Sequence, residues 1–158
     1  MTGSRPLPCV VDASVGIKLF VVEPLSPEAH ALFGQLAADP PSRLYVPDLF
    51  YIECANVLWK YTQRLGLAAE DARDYIAQLG LLALRTVSTA ELLADTLDIA
   101  LAHRITAYDA AYVALAGQLG LPLITADERL VRALSGSSFS VQWLGDLSPG
   151  LPPPPEPA

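Results

Sequence analysis

Short apolar runs rich in β-branched residues alternate along this chain with longer stretches whose apolar positions recur at helical spacing. The short runs are "PCVVDAS" (8–14), "RLYVP" (43–47), "LRTV" (84–87), "LPLIT" (121–125) and "FSVQWL" (139–144), and each predicts a strand. The first helical signal follows Ser14, placed as an N-cap ahead of "VGIKLFVV". In "SPEAHALFGQLAAD", Ser26 reads as the cap and Pro27 as the first helical residue, with Ala29, Leu32, Phe33 and Leu36 on one face. Residues 48–66 predict a long helix opened by Asp48 and closed by Gly66. Residues 68–82 predict another, with acids in its first turn, where the macrodipole favours them. Ser88 and Glu91 form a capping-box pattern for a helix over 88–104. Residues 106–120 predict a helix ending at Gly120, and "ADERLVRAL" a short one. Strands alternating with helices imply an α/β fold, a parallel sheet with helices on both faces. Such sheets bind ligands outside the carboxyl ends of their strands. Asp12 ends the first strand and Asp127 follows "LPLIT", so both are expected at one edge of the sheet.

Composition narrows the class. A chain of 158 residues, 52 % of them apolar, suits one domain with its own core. We place that domain at 9–146, between a short N-terminal extension (1–8) and a proline-rich tail (147–158) expected to be extended. Charged residues interrupt every apolar run, and the first residues lack the apolar core of a secretory signal, so a cytoplasmic protein without a membrane span is expected. Cys9 and Cys54 fit that compartment as buried thiols. The net charge of −7 argues against a general nucleic-acid binder.

The candidate chemistry lies in acids. Asp109 stands three residues after Thr106, and Glu128 three after Thr125, so each segment alone reads as a capped helix start. Asp12 differs, because an acid at the end of a central strand loses solvation unless something compensates. Glu53 sits among apolar neighbours, with Asn56, Lys60 and Arg64 along its helical face. Taken alone, that face reads equally as a solvated stripe. Four carboxylates converging on one spot repel strongly, by about 4 kcal/mol per pair at about 4 Å and an effective dielectric of about 20. Either some are protonated or a divalent cation neutralises them. A ligand set of oxygens alone favours Mg²⁺ or Mn²⁺ over Zn²⁺. His30 and His103 have no second His or Cys at ligand spacing and read as surface or dipole-compensating residues.

Three segments in this order, "VVDASVGIKLFVVEP", "VPDLFYIECANVLWK" and "ITAYDAAYVALAGQLGLPLITADERL", resemble the PIN-domain superfamily and, more narrowly, VapC-type toxins of toxin–antitoxin pairs. The resemblance covers roughly residues 9–144. It implies a three-layer α/β/α fold around a central, mainly parallel sheet of about five strands. By the same resemblance Asp12, Glu53, Asp109 and Asp127 match an acidic quartet that holds Mg²⁺ or Mn²⁺ and carries catalysis. Ser14, Asn56, Thr106 and Thr125 match supporting polar positions. The implied activity is hydrolysis of RNA phosphodiester bonds, and the implied partners are a cognate antitoxin and a second copy of the chain. The helices "SVGIKLFVV" and "EAHALFGQL" are then expected to wall the antitoxin's groove.

Setting aside four cation-bound acids removes more than half of the acidic excess, and Lys18, Lys60, Arg64 and Arg104 become candidate RNA contacts. Such an acidic enzyme points to a structured target, a tRNA or an rRNA loop, with steep salt dependence. Four other readings compete. A phosphotransferase using Asp12 as covalent nucleophile lacks its second acid, since Ser14 stands there. A housekeeping RNA-processing nuclease differs from a toxin only in context. A non-catalytic PIN-like interaction protein is disfavoured by the intact quartet. A nucleotide-binding module lacks the glycine-rich phosphate loop after its first strand.

Overall fold

The computed structural model describes residues 8–39 and 41–147. The expectations for most of the N-terminal extension and for the proline-rich tail beyond residue 147 lie outside the described residues. Five strands form one sheet: β1 (Cys9–Val11), β2 (Leu44–Pro47), β3 (Arg85–Val87), β4 (Leu123–Thr125) and β5 (Val141–Trp143). Their order is β3-β2-β1-β4-β5, and every neighbouring pair is parallel. Cys9 stands opposite Leu44, and Val10 opposite Leu123, so β1 is central and fully buried. Parallel strands covered on both faces read as continuous apolar runs, as β1, β2 and β4 do, whereas the edge strands β3 and β5 carry Arg85, Thr86 and Gln142 and are less buried.

Helices α1 (Ala13–Gly16), α2 (Ser26–Gly34), α3 (Leu49–Arg64), α4 (Ala69–Gly80), α5 (Leu93–His103), α6 (Ala107–Leu119) and α7 (Glu128–Ala133) make the connections. Helix α6 lies against β1, β2 and β4 and packs along α5, while α1 packs on β4 and on α3. Residues 110–116 of α6 are buried on every side, which marks it as the central helix of the core. Phe50 and Tyr112 are wholly buried, each worth about 1.5–3 kcal/mol in apolar area removed from water. Gly16 shows how closely α1 meets α3: a Cβ there would lie 2.5 Å from Phe50 Cζ. No helix among the described residues is long and apolar enough to cross a membrane.

Several expected caps differ. Ser14 is inside α1, whose N-cap is Asp12, and its hydroxyl is occupied by Asp12 instead of a helix amide. The cap of α2 is Leu25, in a left-handed conformation (φ 70°), and Ser26 is the first helical residue. Ser26 Oγ instead closes the preceding turn, accepting from Glu23 N–H and donating to the Val21 carbonyl. Asp48 precedes α3 without capping it, because its carboxylate is held across the sheet edge by Thr89. Ser88 and Glu91 make no capping box: a 3₁₀ turn over Thr89–Leu92 intervenes before α5. Thr106 caps α6 as expected, accepting from Asp109 N–H at 3.1 Å, and Gly120 closes that helix at φ 64°. Both cysteines are free and buried.

Candidate active site

The sheet order reverses between β1 and β4, the place where parallel α/β sheets open a crevice at their carboxyl ends. Asp12 leaves β1 there, its amide donating to the Ile124 carbonyl at 3.0 Å. Its side chain is only 6 % exposed, and burial raises its pKa above the usual carboxylate range. Opposing that cost, Thr125 Oγ1 donates to Asp12 Oδ2 at 2.8 Å and Ser14 Oγ donates to the same oxygen at 2.9 Å. The two hydroxyls carry the arrangement onward. Ser14 Oγ accepts from Ala126 N–H at 3.0 Å, and Thr125 Oγ1 accepts from Asp127 N–H at 3.1 Å. Thr125 is therefore no helix cap. It ends β4 as a buried bridge, and Asp127 caps α7 itself by accepting from Arg129 N–H at 2.9 Å.

Glu53 comes from the middle of α3 and is half-buried. Burial first, then the charges of Asp12 and Asp109, push its pKa from 4.5 up to about 7. Tyr112 OH donates to Glu53 Oε1 at 2.7 Å and partly offsets that rise. Asp109, half-buried at the start of α6, is raised from 3.8 to about 6 by burial and then by Asp12 and Asp127. The four acids thus share one field, with Asp12 at its centre: each of its raised neighbours feels its charge. As placed, no three acidic, His or Cys side chains among the described residues form a closed cage for an ion. The carboxylates are drawn back onto their own donors: Glu53 onto Tyr112, Asp127 onto Arg129 N–H, and Asp12 onto Ser14 and Thr125. The donor set itself is acidic oxygen, strained by mutual repulsion, which is the chemistry a hard divalent cation relieves.

The supporting positions divide. Ser14 and Thr125 bind Asp12 directly. Thr106 acts on backbone, fixing the turn that presents Asp109. Asn56 is exposed on α3, one turn beyond Glu53. Among the basic candidates Lys60, Arg64 and Arg104 are exposed, but Lys18 is not. Lys18 is buried, and its Nζ pairs with Glu23 at 2.8 Å, so it is not a free rim cation. The second oxygen of Glu23 accepts from Tyr61 OH. The expected groove walls also differ, since Val15, Ile17, Ala29, Leu32 and Phe33 face the core. His30 is exposed, and His103 lies in the last turn of α5, edge-on to Phe139. Two residues went unforeseen. Tyr112 looks like core from its apolar neighbours, with only its hydroxyl as a signal. Arg129, two residues past Asp127, adds an exposed cation beside the acids.

The PIN domain profile matches residues 9–134. The chain is 40 % identical over 123 residues to "Ribonuclease VapC3" of Pyrobaculum aerophilum, covering 77 % of this chain and 90 % of that protein. Its fold is similar to the crystal structure of PAE2754 from Pyrobaculum aerophilum, with a TM-score of 0.65 at 24 % identity over 93 % of this chain and 90 % of that one. A toxin–antitoxin complex from Klebsiella pneumoniae also matches, with a TM-score of 0.56 at 18 % identity, covering 85 % of this chain and 95 % of its counterpart. The parallel sheet, the acids gathered at its switch point and the match across most of the sequence agree, and the chain belongs to the PIN-domain family.

Proposed function

We propose that this chain is a divalent-cation-dependent endoribonuclease and the toxin of a toxin–antitoxin pair. The observation that carries the chemistry is the coupling of Glu53, Asp12, Asp109 and Asp127 at one sheet edge, with Glu53 and Asp109 both raised. The ribonuclease reading is supported by VapC3, a relative named for that activity, and the toxin reading by the toxin–antitoxin complex that shares the fold. Asp12, Glu53 and Asp109 would hold Mg²⁺ or Mn²⁺, with Asp127 completing the set. Bound there, such a cation lowers the pKa of a water and offsets charge growing on the phosphoryl oxygens.

The chain's own groups supply the rest. Ser14 and Thr125 hold one oxygen of Asp12 in place and favour its anionic form. Tyr112 fixes the orientation of Glu53. Thr106 sets the first turn of α6 and with it the direction of Asp109. The thiols take no part as nucleophiles: burial pushes Cys9 and Cys54 each up to about 12. Exposed Lys60, Arg64 and Arg104 offer phosphate contacts. Partners follow from the same reading: an RNA, best a folded one given the acidic chain, a short antitoxin that blocks the acids, and a second copy of the chain.

The test pairs two measurements. Calorimetry with Mg²⁺ and with Mn²⁺ compares wild type with Asp109→Asn, and RNA cleavage is followed for both. Loss of binding and of cleavage together is the expected result. Equal behaviour of the two proteins would leave Asp109 as the third residue of a helix and remove the metal site as drawn. Cleavage without growth arrest on expression would favour a housekeeping nuclease over a toxin.

A further inference from the structure

A cavity of about 470 Å³ opens beside the acids, lined by Asp127 itself and by Ser14, which bonds Asp12. Its apolar wall is Ile17 and Val57, and its charged groups are Lys18, Glu23 and Arg129. We infer that this cavity seats one nucleotide of the RNA, next to the phosphate being cut, with Arg129 on a phosphate and Glu23 reading the base. The inference rests on the ribonuclease reading above.

Position is the first argument. A polymer lying across the acids must continue past them, and this cavity adjoins them with a volume in the range of about 300–1,000 Å³ usual for small-molecule sites. Charge is the second. Four acids repel a phosphate chain, so the flanking nucleotide needs a cation of its own. Arg129 is exposed at the cavity and makes no ion pair among the described residues. Its planar fork matches phosphate oxygens.

The third argument is the carboxylate of Glu23. Lys18 Nζ holds one oxygen at 2.8 Å, and Tyr61 OH holds the other. A half-buried ion pair adds little stability over apolar residues of the same volume, so packing alone does not account for it. What it provides is a carboxylate fixed in place on the cavity wall, which Val57 and Ala126 also line. Each carboxylate oxygen has a further lone pair, and a carboxylate only accepts. Glu23 therefore favours a base edge that presents N–H groups, while half-buried Val57 gives the ring an apolar contact, with Ile17 behind it. Reading the edge of an unstacked base in this way is how single-stranded RNA is recognised.

Wild type, Arg129→Gln and Glu23→Gln are compared on one short RNA of randomised sequence. Anisotropy in EDTA reports binding without cleavage. Sequencing of fragments made with Mn²⁺ reports the cut sites. Arg129→Gln is expected to weaken binding and raise KM by about three- to tenfold with kcat largely kept. It also makes the salt slope shallower by about 0.7. Glu23→Gln is expected to erase a base preference at one position beside the cut. If wild type binds and cleaves while both variants match it in affinity, salt slope and cut sites, the inference falls and the ribonuclease reading stands. Binding that depends on Arg129 and Glu23, with no cleavage by wild type, does the reverse. Absence of both binding in EDTA and cleavage with Mn²⁺ overturns both. Variants that lose only a protein inhibitor's grip would assign the cavity to that inhibitor and overturn the inference. Arg129 is exposed, so its variant decides the matter even if Glu23→Gln fails to fold.

Discussion

Tyr112 reaches from α6 to α3 and donates its hydroxyl to Glu53 Oε1 at 2.7 Å. That bond joins the helix presenting Asp109 to the helix presenting Glu53. It also favours the ionised form of Glu53 against burial. Tyr112→Phe is therefore expected to raise the Glu53 pKa further. Cleavage at neutral pH falls, and the acid limb of the pH–rate profile moves to higher pH. Stability drops by about 1 kcal/mol for the lost hydrogen bond. A pH–rate profile beside a urea titration checks both, and an unmoved acid limb would leave Tyr112 as packing alone.

Thr125 is buried and bonded on two sides, to Asp12 Oδ2 and from Asp127 N–H. Thr125→Val keeps the shape but strands an amide and removes a donor from a buried carboxylate. The expected cost is about 1–3 kcal/mol. Thr125→Ser is expected to recover most of it. Thermal unfolding of the two variants gives the comparison, and equal losses would point to the methyl group instead of the hydroxyl.

Asp12→Asn is expected to cut cleavage by about a hundredfold or more while the fold survives. The wild-type charge is disfavoured by burial, so its removal does not weaken the metal-free protein. Single-turnover rates and a melting curve on the same sample measure both. A well-folded Asp12→Asn that cleaves at the wild-type rate would sink the carboxylate mechanism.

Acidification should stabilise the metal-free protein. Glu53 rises from 4.5 to about 7 and Asp109 from 3.8 to about 6 on folding. Between about pH 4 and pH 7 the folded chain therefore binds more protons than the unfolded chain, and stability falls as pH rises through that window. Added Mg²⁺ is expected to oppose the fall, most strongly at the upper end, where the carboxylates are anions. Melting temperatures across this range in EDTA and in Mg²⁺ test it, with Glu53→Gln flattening the EDTA curve. A rise toward high pH in EDTA would contradict the crowding of these acids.

What the sequence revealed, and what it hid, follows from range. Asp12 and Asp127 were legible because a strand-end rule needs only the local pattern. Asp109 was legible only through the family resemblance, because its local pattern, three residues after Thr106, reads as a capped helix start. Lys18 was misread as a free cation: its partner Glu23 lies in the loop five residues on and is itself tied to Tyr61 of α3, and a lone lysine in an amphipathic run looks solvated. Thr125 imitated a cap because the spacing to Glu128 is right, but its hydroxyl is claimed by Asp12, 113 residues earlier. Ser88 failed similarly, since nothing local announces the 3₁₀ turn that follows it. Tyr112 could not be separated from core, for its apolar setting is real and its one polar bond spans 59 residues.

Gly16 has its own consequence. With a Cβ there 2.5 Å from the Phe50 ring, α1 and α3 touch where neither can yield without moving the other. Asp12 precedes one of these helices and Glu53 rides on the other, three residues from Phe50. A single hydrogen atom at Gly16 thus works as a gauge block for the gap between the first two acids. Widening it by one methyl group would change the spacing of the two acids, and with it the site proposed for a divalent cation, without altering either acid.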